Sequence, residues 1–99
     1  MKKFKAGVFT GLVLEFEMKE STKQADISKV EKQLPVLSGN TLVISGEGPA
    51  WLYCIIMRKY FYNFPIIAVY DSELHAAVIV SSHLLSFKVG DLIRLERNR

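Results

Sequence analysis

Hydrophobic and polar positions change period several times along this chain, and each change marks an element. Leu12, Leu14, Phe16 and Met18 alternate with Val13, Glu15 and Glu17, the two-residue period of a strand with one buried face. Residues 4–10 read as a strand before it, with a turn near Gly11. Residues 21–24 form a polar connector. Over residues 26–34 the spacing becomes helical, with Ile27, Val30 and Leu34 on one apolar stripe. Asp26 or Ser28 can cap this helix, Ser28 with Glu31 matches a capping box, and Pro35 ends it. After a Ser38-Gly39-Asn40 turn, residues 41–45 are an apolar strand suited to the middle of a sheet.

Residues 49–62 predict a second helix. Trp51, Leu52, Tyr53, Ile55, Ile56, Met57, Tyr60 and Phe61 spread around most of its circumference, with Arg58 and Lys59 as polar exceptions. Such a helix is expected to cover a sheet on one side and a second subunit on the other. Strands follow at residues 65–70, 76–81 and 92–96, separated by a loop at 71–75 and a Lys88-Val89-Gly90-Asp91 turn. The order β-β-α-β-α-β-β-β predicts one α+β domain over residues 1–99, a mixed sheet of about five to six strands with two helices. The unit over residues 42–70 is strand, helix, strand, expected to be parallel with a right-handed crossover.

Composition adds an expectation about assembly. The chain has 99 residues, 49% of them apolar, a high share for its length. That surplus points to a buried interface between two copies, a two-fold homodimer; a further stack to a tetramer is expected only if Asp71 and His83, on opposite edges, are to meet. A net charge of +3 is too small for a nucleic-acid coat, and the basic residues gather in MKKFK at residues 1–5 and RLERNR at 94–99. Lys2 and Lys3 look like the start of a signal peptide, but Lys5, Thr10 and Glu15 interrupt the apolar stretch, so none is expected. No apolar run is long enough to span a bilayer, and a cytoplasmic location without a membrane partner is the expectation. The single Cys54 excludes an intrachain disulfide and a cysteine metal cluster.

Candidate chemistry gathers at two places. Ser45, Gly46, Glu47 and Gly48 lie between an apolar strand and a helix opened by Pro49. Backbone N–H groups and the helix dipole there suit an anion such as a phosphate; a tight strand-to-helix connection is the alternative. A side chain at Gly46 is expected to obstruct such an anion without disturbing assembly. Asp71 ends the second parallel strand on the same side, where ligands of open α/β sheets gather. It can instead start a turn by bonding its own backbone. Asp71 with Glu73 could hold a hard cation, Mn²⁺ or Mg²⁺, through oxygens. His83 follows the next strand and is expected at the opposite end of the sheet, with Tyr62. His83 suits a metal, a phosphate contact or acid catalysis, and Tyr62 can donate a hydrogen bond to a leaving oxygen or serve at an interface. Aromatics interleaved with Arg58 and Lys59 suggest base stacking, but their helical spacing favours packing.

The segments SGEGPAWLY at residues 45–53, PIIAVYD at 65–71, AAVIVSSH at 76–83 and KVGDLI at 88–93 together resemble the small CRISPR-associated accessory proteins of type III systems that act as ring nucleases. The resemblance implies a distant ferredoxin-like variant that forms dimers. It implies binding of short RNA and cleavage of cyclic tetra-adenylate with manganese stimulation, between dimers stacked head to tail. Asp71 and His83 match the family's functional positions. Glu47 stands where the family has arginine, Asp71-Ser72-Glu73-Leu74 where it has Asp-Pro-Arg-Leu, and Tyr62 where it has histidine. The resemblance implies a metal-stimulated phosphodiesterase acting on cyclic oligoadenylate. The lost cations favour a non-catalytic cyclic-nucleotide or RNA-binding module of the same fold. A structural dimer binding a protein partner through its apolar helix is a third reading.

Overall fold

The computed structural model describes residues 2–6, 9–17 and 24–95. Among these residues the chain runs β1 (Lys2–Ala6), β2 (Phe9–Glu17), α1 (Gln24–Gln33), β3 (Thr41–Glu47), α2 (Ala50–Tyr60), β4 (Ile66–Asp71), β5 (Ala76–Ser82) and β6 (Leu92–Ile93). The strands form one sheet in chain order, β1-β2-β3-β4-β5-β6. The β2, β3 and β4 strands are parallel, and the remaining neighbours pair antiparallel. This is the α+β mixed sheet with two helices that the hydrophobic pattern predicts, and it is compatible with a ferredoxin-like variant.

Alternation along the strands separates two cores. Leu14, Leu42, Ile44 and Ile67 face the helices and meet Val30, Leu52, Ile56 and Tyr60. Val43, Ile66, Ala68, Ala77, Ile79 and Ile93 face the other way, where Phe87 and Leu95 pack on them. Two successive crossovers of one hand, advancing in one direction, put both helices on the same face. Each fully buried Ile or Leu contributes about 1.5–3 kcal/mol.

Several expected boundaries move. Gly11 lies inside β2, opposite Thr41, rather than in the hairpin turn. An added Cβ there would overlap the Thr41 carbonyl oxygen, so close strand approach requires the glycine. Helix α1 begins at Gln24, which places Asp26 and Ser28 inside the helix instead of at its cap. Val30 is buried and Leu34 packs against the core, as the stripe predicts. The side chains of Asp26, Ile27 and Ser28 lie outside the described residues, as do Met18, residues 21–23 and Glu96.

Helix α2 is more fully covered by its own chain than its composition suggests. Leu52, Ile56 and Tyr60 are buried. Trp51, Tyr53, Ile55 and Met57 are half-buried against the same core, while Ala50, Cys54 and Arg58 are exposed. Apolar surface is exposed instead at Val36, Leu84, Leu85, Val89 and Leu92. No helix among the described residues is long and apolar enough to cross a membrane.

Candidate functional site at the two ends of the sheet

The parallel run of β2, β3 and β4 delivers Glu17, Glu47 and Asp71 to one end of the sheet. At that carboxyl end the exposed Glu17 and Glu47 are aligned on neighbouring strands. The His83 N–H donates to the Pro65 carbonyl at 2.8 Å, which fixes His83 at the amino end of β4. Six residue steps separate Pro65 from Asp71, about 20 Å along an extended strand. Asp71 and His83 therefore stand at opposite ends of the sheet, as their order in the chain predicts.

Asp71 starts a turn. Its Oδ1 accepts the N–H groups of Glu73 at 2.8 Å and Leu74 at 3.3 Å. His75 closes the turn in the left-handed region, with φ 51°. Asp71 is half-buried and Glu73 is exposed. No group of three or more His, Cys, Asp or Glu side chains is placed to hold a metal among the described residues. The Glu73 backbone N–H, not its carboxylate, is the group that meets Asp71.

The expected anion cradle is narrower than its motif suggests. Ser45, Gly46 and Glu47 are part of β3, aligned with Glu15, Phe16 and Glu17. A Cβ on Gly46 would overlap the Phe16 carbonyl oxygen, so the glycine serves strand pairing. A side chain at Gly46 would therefore disturb the pairing of β2 with β3 as well as any approach of an anion. The Gly46 carbonyl accepts the Tyr53 hydroxyl at 2.5 Å, and the Tyr53 ring meets Phe16 edge-on at 5.0 Å. Only Gly48 and Pro49 remain between β3 and α2. Pro49 caps the helix without a side-chain bond, and the first turn carries no acidic residue. The positive end of the helix dipole is therefore not offset within that turn.

The amino end has a different character. Phe61 meets His83 at 4.7 Å and 70°, and Tyr62 at 4.9 Å and 85°. Tyr62 lies beyond α2 in the turn that follows it and is 89% exposed. Arg58 and Lys59 stand in the last turn of α2, with Arg58 exposed. Packing, the expectation for this aromatic and basic stretch, accounts for Tyr60 and in part for Phe61, but not for Arg58 or Tyr62. Arg58 stands two residues off the Leu52, Ile56 and Tyr60 row, on the opposite side of the helix, and Tyr62 lies past the helix end.

Comparison with known proteins agrees with the segments singled out above. A protein of Aquifex aeolicus (strain VF5), described as an uncharacterized protein, is 38% identical over 87 residues, covering 85% of this chain and 78% of its own length. The family model for CRISPR-associated protein (Cas_csx3) matches residues 15–94, a span that includes β3, α2, β4, β5 and the two ends of the sheet they build. The chain belongs to the CRISPR-associated Cas_csx3 family.

Proposed function

We propose that this chain is a ring nuclease of CRISPR defence, a phosphodiesterase that opens cyclic oligoadenylate at a site completed between stacked copies. The observation that carries the reading is the separation of Asp71 and His83 by the length of β4. One chain cannot bring them together, whereas the carboxyl end of one copy set against the amino end of another can. Charge favours that contact, with Glu17, Glu47, Asp71 and Glu73 at one end and Arg58 and Lys59 toward the other.

Ring opening needs an aligned nucleophile, a stabilised phosphate and a protonated leaving oxygen. In the metal-free route the substrate's 2′-OH attacks the adjacent phosphorus, and the bond to the 5′-oxygen breaks. Asp71 or His83 accepts the 2′ proton. The other group, or the Tyr62 hydroxyl, supplies a proton to the 5′-oxygen. Backbone N–H groups after Gly48 orient the phosphate at the start of α2. A bound Mn²⁺ or Mg²⁺ would neutralise phosphate charge, with Asp71 and Glu73 as the residues that hold it.

A second reading is a binding module that captures the cyclic nucleotide, or a short RNA, without cutting it. The turn bonds to Asp71 Oδ1 favour it, because they occupy part of the carboxylate that chemistry would use. Single-turnover incubation with cyclic tetra-adenylate, with and without Mn²⁺, tests the choice. The expected result is a linear product formed faster with Mn²⁺. Tight binding without a product selects the binding module, and no binding at all removes both readings.

A further inference from the structure

Tyr62 is held in place yet left uncovered. Its neighbour Tyr60 is fully buried, with its hydroxyl donated to the Pro35 carbonyl at 2.5 Å. On the other side, the N–H groups of Asn63 and Phe64 donate to the Tyr60 carbonyl at 3.0 and 3.2 Å. The Asn63 side-chain amide donates to the Leu37 carbonyl at 2.9 Å, and the Asn63 carbonyl accepts the Gly39 N–H at 3.3 Å. The backbone on both sides of Tyr62 is thereby pinned. The ring itself is 89% exposed and braced edge-on by Phe61, which is braced in turn by His83. Arg58, in the last turn of α2, is also exposed.

An exposed aromatic ring on a fixed backbone is in part preorganised, because no backbone freedom has to be lost on binding. An exposed π-system just past the end of α2 and an exposed guanidinium in its last turn together match a nucleotide. The base stacks on the ring, and the phosphate takes the fork of N–H donors. We infer that Tyr62, braced by Phe61 and His83, is a stacking platform for an adenine base of an oligoadenylate strand, with Arg58 taking an adjacent phosphate. The choice of adenine rests on the proposed function; the platform itself rests on the geometry. Tyr62 then sets base preference whether or not the chain cleaves its ligand.

Fluorescence anisotropy with end-labelled linear tetra-adenylate tests the platform on the intact protein. Tyr62→Leu keeps apolar bulk but removes the π-face, and binding should weaken about tenfold. Tyr62→Phe keeps the π-face, and binding should stay within about twofold of the wild type. Arg58→Gln should lower the magnitude of the logarithmic salt slope by about one. Because Tyr62 is exposed, melting temperatures should be unchanged in both Tyr62 variants. In the wild type the adenine protons should shift upfield on binding, and Tyr62→Leu should abolish the shift. Equal affinity of Tyr62→Leu and wild type overturns the platform, as does a wild type that does not bind the linear strand. The two proposals fail separately. Opening of cyclic tetra-adenylate with Tyr62-independent binding removes only the platform. Tyr62-dependent binding of the linear strand with no recognition of the ring removes only the ring nuclease.

Discussion

A Cβ added at Gly46 would run into the Phe16 carbonyl, because β2 and β3 pair in parallel with these two residues in register. The atom it meets is backbone, so neither a rotamer change nor a flexible tip can relieve the overlap. Gly46→Ala should therefore part the ends of two central strands and cost about 2 kcal/mol. For a domain of this size, that cost lowers the melting temperature by about 8–16 °C. Thermal circular dichroism with an unchanged midpoint would refute this account. At this scale, sequence alone placed Asp71 and His83 well, because their positions follow from strand order. It could not tell a phosphate-cradling glycine from a strand-pairing one. The same residue type serves both tasks, and the deciding neighbour, Phe16, lies thirty positions away. Asp71 was open to the same ambiguity, and its Oδ1 bonds to Glu73 and Leu74 make the turn role part of the answer.

Between elements, Tyr60 joins the end of α2 to the segment that follows α1. Its ring meets Phe64 edge-on at 6.0 Å, and its hydroxyl donates to the Pro35 carbonyl. Tyr60→Phe keeps the ring and leaves that carbonyl without this donor, a loss of about 1 kcal/mol in denaturant unfolding. Burial also raises the Tyr60 pKa above its ordinary value of 10.0. The folded state therefore prefers the neutral phenol. Its contribution is fully present below pH 10 and declines as the unfolded chain ionises first. The stability gap between wild type and Tyr60→Phe should hold constant at neutral pH and narrow above the ordinary tyrosine value. A gap independent of pH would show that this phenol does not couple folding to alkaline pH. Hydrophobic period revealed β2 and both helices, because burial of one face leaves its mark along the whole segment, whereas the span read as the first strand, residues 4–10, is divided between β1 and β2. Ends were less legible. Helix α1 starts before its apparent cap, and β3 runs on to Glu47 because β2 is there to pair with it.

Across the whole molecule, the length of β4 keeps Asp71 and His83 apart, with Glu17, Glu47 and Asp71 at strand ends on one side and Arg58 and Lys59 in the last turn of α2 toward the other. Such polarity suits head-to-tail contact between copies, since each end meets its electrostatic complement. The apolar surplus read from composition is less decisive, because most of α2 is covered by its own core and the uncovered apolar side chains sit elsewhere, at Leu84, Leu85 and Val89. A composite site makes a demand that a site within one chain does not. An Asp71→Ala protein and a His83→Ala protein should each be inactive alone, since every interface in either stack lacks one group. Mixed together, they form some interfaces in which the Asp71 of one copy faces the His83 of another, and part of the cyclic tetra-adenylate cleavage should return. Wild-type specific activity should also rise with protein concentration until stacking saturates, because the site forms only on association. An inactive mixture, together with specific activity that is flat with concentration in a wild type that cleaves, would place the whole reaction within one assembled unit. The chemistry would then have to run through groups at a single end of the sheet.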